Sequence, residues 1–356
     1  MVKILIALEN ISLGGMKRAT TVVGNALSQH HEVTYYSFSD IPPFYTLTAP
    51  LLSAKNPVTL TNDAQPFEHF QTEINDFIAV IQQNQYDVVI LSGGLLSSFA
   101  KVMKPQLPGV KLIGWMHNNM ATYVSEYYRA MQDEFVGGLS VLDHIVALTD
   151  SDLAGFYQYN HQTVKIWNPL TIQPDGQADL QQKTIAFTAR IAIQHKGIDF
   201  AVAFASKLPE GWRLAMAGSG TDSDMAEFQR LVVKYQAQDK IIYRGPLKDD
   251  ELRQHYRQAS MFLQTSRWEG LPLVLAEAMS FGLPIVAMAN TGSKEVLDSG
   301  KYGVLTPQGD VDALVAAVEP LLARLELRQY YAQQSLTRVQ AFASEPIIAQ
   351  WEKLFK

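Results

Sequence analysis

At 356 residues the chain exceeds the size at which one hydrophobic core usually stops growing, so two domains are expected. Apolar residues make up 47% and charged residues 18%, the balance of a folded globular protein rather than a disordered one. The net charge is −6, with 9 Lys/Arg against 14 Asp/Glu in residues 1–165 and 20 against 21 in the remainder. This excludes nucleic acid as the main partner and confines any anion site to a local cluster, while the absence of cysteine excludes disulfides, thiol nucleophiles and Cys-ligated zinc.

The apolar run Val2–Leu8 reads as a parallel strand covered on both faces. It turns polar at Glu9-Asn10, too soon for a signal peptide, and no window approaches 18 apolar residues, so a cytoplasmic protein is expected. A helix is predicted from Gly15 to Ser28 and a strand over Glu32–Tyr36. The segment from Pro42 to Pro66 reads as a long loop with a short strand near Val58. Phe70, Ile74, Phe77, Ile78 and Ile81 recur at helical spacing within a helix predicted over Phe67–Asn84. Strands are predicted at Asp87–Leu91, Val110–Gly114 and His144–Leu148. The hinge falls at Trp167-Asn168-Pro169-Leu170, followed by the polar linker Gln173–Gln181. Further strands at Thr184–Thr188, Arg213–Ala217, Lys240–Tyr243, Met261–Gln264 and Pro284–Ala287 alternate with helices, and the stripe Ile347, Ile348, Trp351, Leu354 and Phe355 marks a final helix. Such alternation predicts an α/β protein of two Rossmann-like, doubly wound domains facing a cleft. The expected bounds are 1–166, 167–343 and a C-terminal helix 344–356 packing back toward the first domain.

The segment Ser266 to Met279 carries the most chemistry. A strand ends near Gln264, a polar turn follows, and Gly270 opens an apolar helix with Pro272 in its first turn. The amides of Gly270, Leu271 and Leu273 are then expected to face a ligand at the carboxyl end of the sheet, as an anion site. Glu269 and Glu277 flank that turn, and a carboxylate can accept two hydrogen bonds from neighbouring hydroxyls. Arg190 and Lys196 lie on the loop after the first strand of the second half, where two cations suit a diphosphate. Gly14-Gly15 follows the first strand of the chain and Gly218-Ser219-Gly220 a later one. The latter supplies two glycines of a dinucleotide fingerprint without the third, which disfavours a nicotinamide enzyme.

Together these residues resemble the family 4 retaining glycosyltransferases of GT-B fold. The family's Glu, seven residues, Glu pattern is met by Glu269 and Glu277, and its Arg…Lys-Gly pattern by Arg190 and Lys196-Gly197. Its N-terminal Gly-Gly-x-x-Arg is met by Gly14, Gly15 and Arg18, and its later glycines by Gly218-Ser219-Gly220 and Gly245-Pro246-Leu247. The likeness covers nearly all of the second half and the first half thinly. Two departures stand out: Ala189 precedes Arg190 where the family often has glycine, and six positions rather than five separate Arg190 from Lys196.

The resemblance implies a donor nucleotide, a UDP-sugar, held mainly by the second half. Arg190 and Lys196 would neutralise its diphosphate, the Gly270–Leu273 amides would face the sugar or its phosphate, and Glu269 would position sugar hydroxyls rather than attack as a nucleophile. Glu277 would meet the ribose, Arg244, Gly245 and Leu247 would line the base pocket, and His117 would lie near the transferred hexosyl group. The acceptor would be a glycan, glycolipid or cell-envelope polymer, and weak docking on the inner face of a membrane is compatible with the family though not favoured by the acidic first half. No cofactor is expected. Three Asp-x-Asp pairs, Asp150/Asp152, Asp222/Asp224 and Asp310/Asp312, each fall at a predicted helix start, where capping accounts for them without a metal. Two alternatives stay open: a nucleotide-sugar epimerase of the same fold, and a non-catalytic nucleotide-sugar-binding subunit.

Overall fold

The computed structural model describes all 356 residues, and the chain divides into two compact units, Met1–Thr171 with Ala343–Lys356, and Ile172–Phe342. Each unit is built on one parallel sheet. In the first, β1 (Lys3–Leu8), β2 (Glu32–Ser37), β3 (Leu51–Ser53), β4 (Val88–Ser92), β5 (Lys111–Trp115), β6 (His144–Ala147) and β7 (Thr163–Lys165) run in the order β3-β2-β1-β4-β5-β6-β7. In the second, β8 (Thr184–Thr188), β9 (Arg213–Ala217), β10 (Ile241–Gly245), β11 (Met261–Gln264), β12 (Ile285–Met288) and β13 (Val304–Thr306) run β10-β9-β8-β11-β12-β13. Both are doubly wound Rossmann-like sheets of a GT-B fold. Each reverses its winding at the first strand, and the loops leaving β1 and β4, or β8 and β11, open a crevice at that reversal.

The central strands are apolar on both faces because helices cover both. All five residues of β4 and all four of β11 and of β12 are buried. The first core gathers Leu5, Phe38, Phe77, Val89, Phe99 and Phe135, and the second Phe187, Phe204, Leu214, Met216, Met261 and Leu314. No helix is long and apolar enough to cross a membrane.

Two local expectations differ from the structure, and two short strands were not foreseen. The helix predicted over Phe67–Asn84 breaks at Phe70, which joins Pro66–His69 to Gln71–Asn84 with φ −110° and ψ 25°. The short strand expected near Val58 is β3 instead. Val58 donates from its amide to the Phe38 carbonyl but forms no ladder. The short strands β7 and β13, three residues each, have too few residues to show a periodicity.

The final helix, Ser344–Lys353, belongs to the first unit. Trp351 is fully buried with its ring centroid 4.6 Å from that of Trp115, and Ile347 and Ile348 are buried beside it. Glu352 accepts from His30 and His31, and the Lys111 ammonium donates to the Leu354 carbonyl at 2.9 Å. Truncating so large a buried side chain leaves a cavity. Trp351→Ala is therefore expected to cost about 3–5 kcal/mol of unfolding free energy. Denaturant titration checks this, and a loss no larger than that of an exposed substitution would mean that the helix does not support the first core.

Candidate active site

In the second unit the loops after β8 and β11 lie side by side at the winding reversal, and a set of bonds locks them together. Arg267 donates to both carboxylate oxygens of Asp199 at 2.9 and 2.7 Å and to the carbonyls of Ile193 and Gln194 at 3.2 and 3.0 Å. Its guanidinium also rests 4.0 Å from the Phe200 ring centroid. Thr265 donates its hydroxyl toward the carbonyls of Lys196 and Gly197, while the Arg267 amide donates to the His195 carbonyl. Gly197 sits at φ 60°, and a Cβ there would lie 2.1 Å from the Thr265 carbonyl oxygen. Only glycine permits both the left-handed turn and that approach.

This frame holds the Lys196 ammonium 2.6 Å from Oε1 of Glu269, with the two side chains only 17% and 12% exposed. The extra residue between Arg190 and Lys196 lies in a loop wound into a one-turn helix, Ile193–Lys196, and Lys196 faces the β11 loop. Burial alone raises the Glu269 carboxyl. The Lys196 charge and hydrogen bonds from Lys196 and Ser266 outweigh it and hold the group below its usual value. Asn290 donates to the Ser266 carbonyl and Thr291 to that of Glu269, fixing the turn from its other side.

Arg190 is exposed, and its guanidinium reaches Nδ1 of His195 at 3.4 Å. The His195 ring lies flat on Trp268, centroids 4.8 Å apart and planes 5° off parallel, with Nε2 3.1 Å from the Trp268 carbonyl. A carbonyl can only accept, so the proton sits on Nε2 and Nδ1 is left to accept from Arg190. Burial, then the Lys196 charge, lowers this imidazole to about 4, so it is neutral near pH 7.

Gly218 and Ser219 follow β9 on the same edge. The Ser219 carbonyl accepts from the Ile191 amide at 2.8 Å, and Gly218, at φ 138°, passes so close to Ala189 that a Cβ would lie 1.8 Å from its carbonyl oxygen. The Gly218 amide donates to the Gly245 carbonyl, which brings in the end of β10. There Arg244 donates to Gln258 at 3.2 Å, and Leu247 is half-buried two residues beyond Gly245. Glu277 is buried, 1% exposed, and accepts from the Tyr256 hydroxyl at 2.9 Å. The helix that Gly270 was expected to open begins at Leu273. Pro272 takes the capping position with an extended ψ of 104°, and Gly270 and Leu271 form the turn before it. No side chain caps this helix and no acidic residue stands in its first turn.

In the first unit, Gly14 and Gly15 lead into the helix Gly15–Leu27, whose first turn holds Lys17 and Arg18 and no acid. Cations at that end oppose the helix dipole, an arrangement that an anion would relieve. The Gly14 amide is not open as the glycine pair suggests: it donates to the Tyr45 hydroxyl at 3.1 Å. His117, two residues past β5, lies against Trp115, and its Nε2 is 3.0 Å from the Ser92 hydroxyl. Burial, then the Lys17 charge, lowers it to about 3.

The aspartate pairs all stand at helix starts, though the capping atoms differ from expectation. Thr149 and Thr221 cap the first two helices, accepting from the amides of Asp152 and Asp224, and Asp310 caps the third, accepting from Ala313. Sequence reasoning missed His195, Asp199, Thr265, Arg267 and Tyr256. Arg267 and Trp268 stood inside the motif, but Asp199 is 68 positions away and carries no local signal.

Residues 171–338 match the glycosyl transferases group 1 family. That match runs through nearly the whole of the second unit. Over its length the chain is 27% identical to an uncharacterized glycosyltransferase of Haemophilus influenzae, with 99% of each covered. It is 26% identical to the amylovoran biosynthesis glycosyltransferase AmsD of Erwinia amylovora, again with 99% of each covered. In three dimensions it superposes on Anabaena HepE, solved in complex with UDP-glucose, with a TM-score of 0.83, 15% identity and 99% of each chain covered. The Lys196–Glu269 pair sits at the winding reversal of the matched region.

Three buried neutral imidazoles give a sign for acid behaviour. His117 and His255 are lowered to about 3 and His195 to about 4, all by burial first, against an ordinary 6.5. On acidification through 6.5 the unfolded chain takes up these protons before the folded one. Stability therefore falls with pH, by up to about 1.4 kcal/mol per pH unit for each histidine. Urea denaturation between about pH 6.5 and 5, above the carboxylate range, reads this slope. Constant stability across that window would show that the rings take up protons as readily in the fold as in the unfolded chain.

Proposed function

We propose that this chain is a retaining glycosyltransferase. It moves a hexosyl group from a nucleoside diphosphate sugar, a UDP-sugar, to a saccharide acceptor of the cell-envelope glycan or glycolipid class. The observation that carries the reading is the buried Lys196–Glu269 pair with exposed Arg190 on the same loop, at the winding reversal of a sheet whose residues match group 1 glycosyltransferases. The relatives support the acceptor class, since one serves amylovoran biosynthesis. A structural neighbour solved with UDP-glucose supports the donor class.

Breaking a sugar–phosphate bond places negative charge on the departing diphosphate and positive charge on the anomeric carbon. Arg190 and Lys196, with the uncapped amides at Leu273, stabilise the first where it develops. Glu269 orients sugar hydroxyls through the oxygen that Lys196 leaves available, and Glu277 accepts from the ribose. Gly218, Ser219, Arg244, Gly245 and Leu247 bound the nucleotide along the same edge. Because fixed cations meet the leaving group, the reaction runs without a metal.

Arg190 is exposed, so Arg190→Ala removes a leaving-group cation without opening the core. Loss of one such group typically costs about 10²–10³ in rate, roughly 2.7–4 kcal/mol. The expected result is transfer reduced at least a hundredfold with unaltered melting, and the same loss for the isosteric Glu269→Gln. A thermal-shift series of nucleotides and nucleotide sugars should show selective stabilisation by UDP and one of its sugars. Transfer should also persist in excess chelator. Full turnover in both variants, or a strict requirement for manganese, would refute this assignment.

A further inference from the structure

The first unit contains a buried chain of polar groups whose proton directions can be worked out from chemistry alone. Thr20, on the helix after β1, lies 2.9 Å from the Met16 carbonyl oxygen and 2.8 Å from the hydroxyl of Ser92 at the end of β4. Ser92 in turn lies 3.0 Å from Nε2 of His117. Thr20 and Ser92 are both 0% exposed. The helix after β1, the end of β4 and the loop after β5 thus each contribute one member.

Three contacts need three protons. The Met16 carbonyl has none to give, so the Thr20 hydroxyl must donate to it. Having spent its only proton there, Thr20 can only accept from Ser92. Ser92 has then spent its own, so the third proton must come from His117. Any other arrangement leaves two buried lone pairs facing each other across one of the contacts, which is costly where water cannot reach.

We propose that Thr20 and Ser92 are positioning residues that fix His117 as the Nε2–H tautomer, leaving Nδ1 as a hydrogen-bond acceptor for a hydroxyl of the transferred sugar. The rest of the surroundings hold the ring where this matters. The His117 amide donates to the Tyr123 hydroxyl at 3.1 Å, and the ring centroid lies 4.5 Å from that of Trp115. Burial and the nearby Lys17 charge keep the ring neutral, so it offers a lone pair rather than a second N–H. A substrate hydroxyl can donate to Nδ1. A deoxy carbon or a methyl ether at the same position cannot, so the relay makes the site selective for a free hydroxyl there. The catalytic half of this inference rests on the proposed transferase reading; the tautomer half does not.

Nitrogen-15 correlation spectra of the imidazole side chains of the full chain read the tautomer directly. Wild type is expected to show a protonated Nε2 and an unprotonated Nδ1 for His117. Thr20→Val removes the proton acceptor for Ser92 at nearly constant volume and frees Ser92 to donate to the ring, so the Nδ1–H form should appear. Thr20→Ser restores the wild-type spectrum. Transfer should follow: kcat/KM about tenfold lower in Thr20→Val, normal in Thr20→Ser, and comparably low for wild type given a donor that lacks the hydroxyl. A wild-type ring protonated on Nδ1, or a Thr20→Val spectrum unchanged from wild type, overturns the relay, and the wild-type spectrum decides its direction even if the variant does not fold. The expected spectra with unchanged kcat/KM overturn the positioning role. If no nucleotide sugar is turned over at all, the transferase reading fails while the spectra still decide the relay.

Discussion

An ammonium and a carboxylate held 2.6 Å apart and nearly out of water are the constraint around which the second unit is arranged. Each charge alone would cost several kcal/mol to bury, and the pair recovers that only if its geometry is kept. The surrounding bonds serve that end. Arg267 ties the β11 loop to Asp199 and to two carbonyls of the Lys196 loop, and Thr265 ties the same loop from the strand end. Gly197 allows the two backbones to touch. Remove the constraint, and Arg267, Thr265 and Gly197 have no common purpose; keep it, and their positions follow.

The pair also orders how an anion would be met. Lys196 is already satisfied by Glu269, so an incoming diphosphate competes with a carboxylate for it. Arg190 is exposed and held only by a 3.4 Å contact to a neutral His195, so it can turn to an anion at small cost. The neutrality of His195 matters here, because a charged ring would repel Arg190 and Lys196 alike. The sequence motifs contain Arg190, Lys196 and Glu269 but not this hierarchy, which depends on Nε2 of His195 donating to the Trp268 carbonyl.

What could be read from the sequence followed from short-range pattern. The buried strands announced themselves as apolar runs, the alternation with helices implied parallel sheets, and the motif spacings single out Glu269, Lys196 and Gly218 as candidates. Features that depend on distant partners were hidden. Asp199 looks like an ordinary residue in the first turn of a helix until Arg267 folds onto it. Ser92 falls just past the predicted strand Asp87–Leu91 and Thr20 reads as a small helix residue, and only the fold puts them in one chain with His117. Backbone detail was hidden as well: Pro272 was expected inside a helix it in fact caps, because sequence gives the preference of proline for that end but not the ψ it adopts.

The two sheets furnish the same topological opening differently. In the second unit full charges, Arg190, Lys196 and Glu269, stand beside it; in the first, Lys17 and Arg18 stand beside hydroxyls and a neutral imidazole whose protons point one way. A divalent cation would need several hard oxygen ligands converging on one point. Here the paired aspartates are spread over three helix starts, with Asp152 and Asp224 accepting from the threonines that cap them and Asp312 meeting Lys207. In the proposed reaction the charge that a leaving diphosphate requires comes instead from Arg190 and Lys196 on the loop after β8. Cations fixed by a rigid sheet need no reorganisation as the bond breaks, whereas a mobile ion must be bound first. The proposed chemistry therefore makes no demand on the aspartates, and their role in the helices is sufficient reason for each.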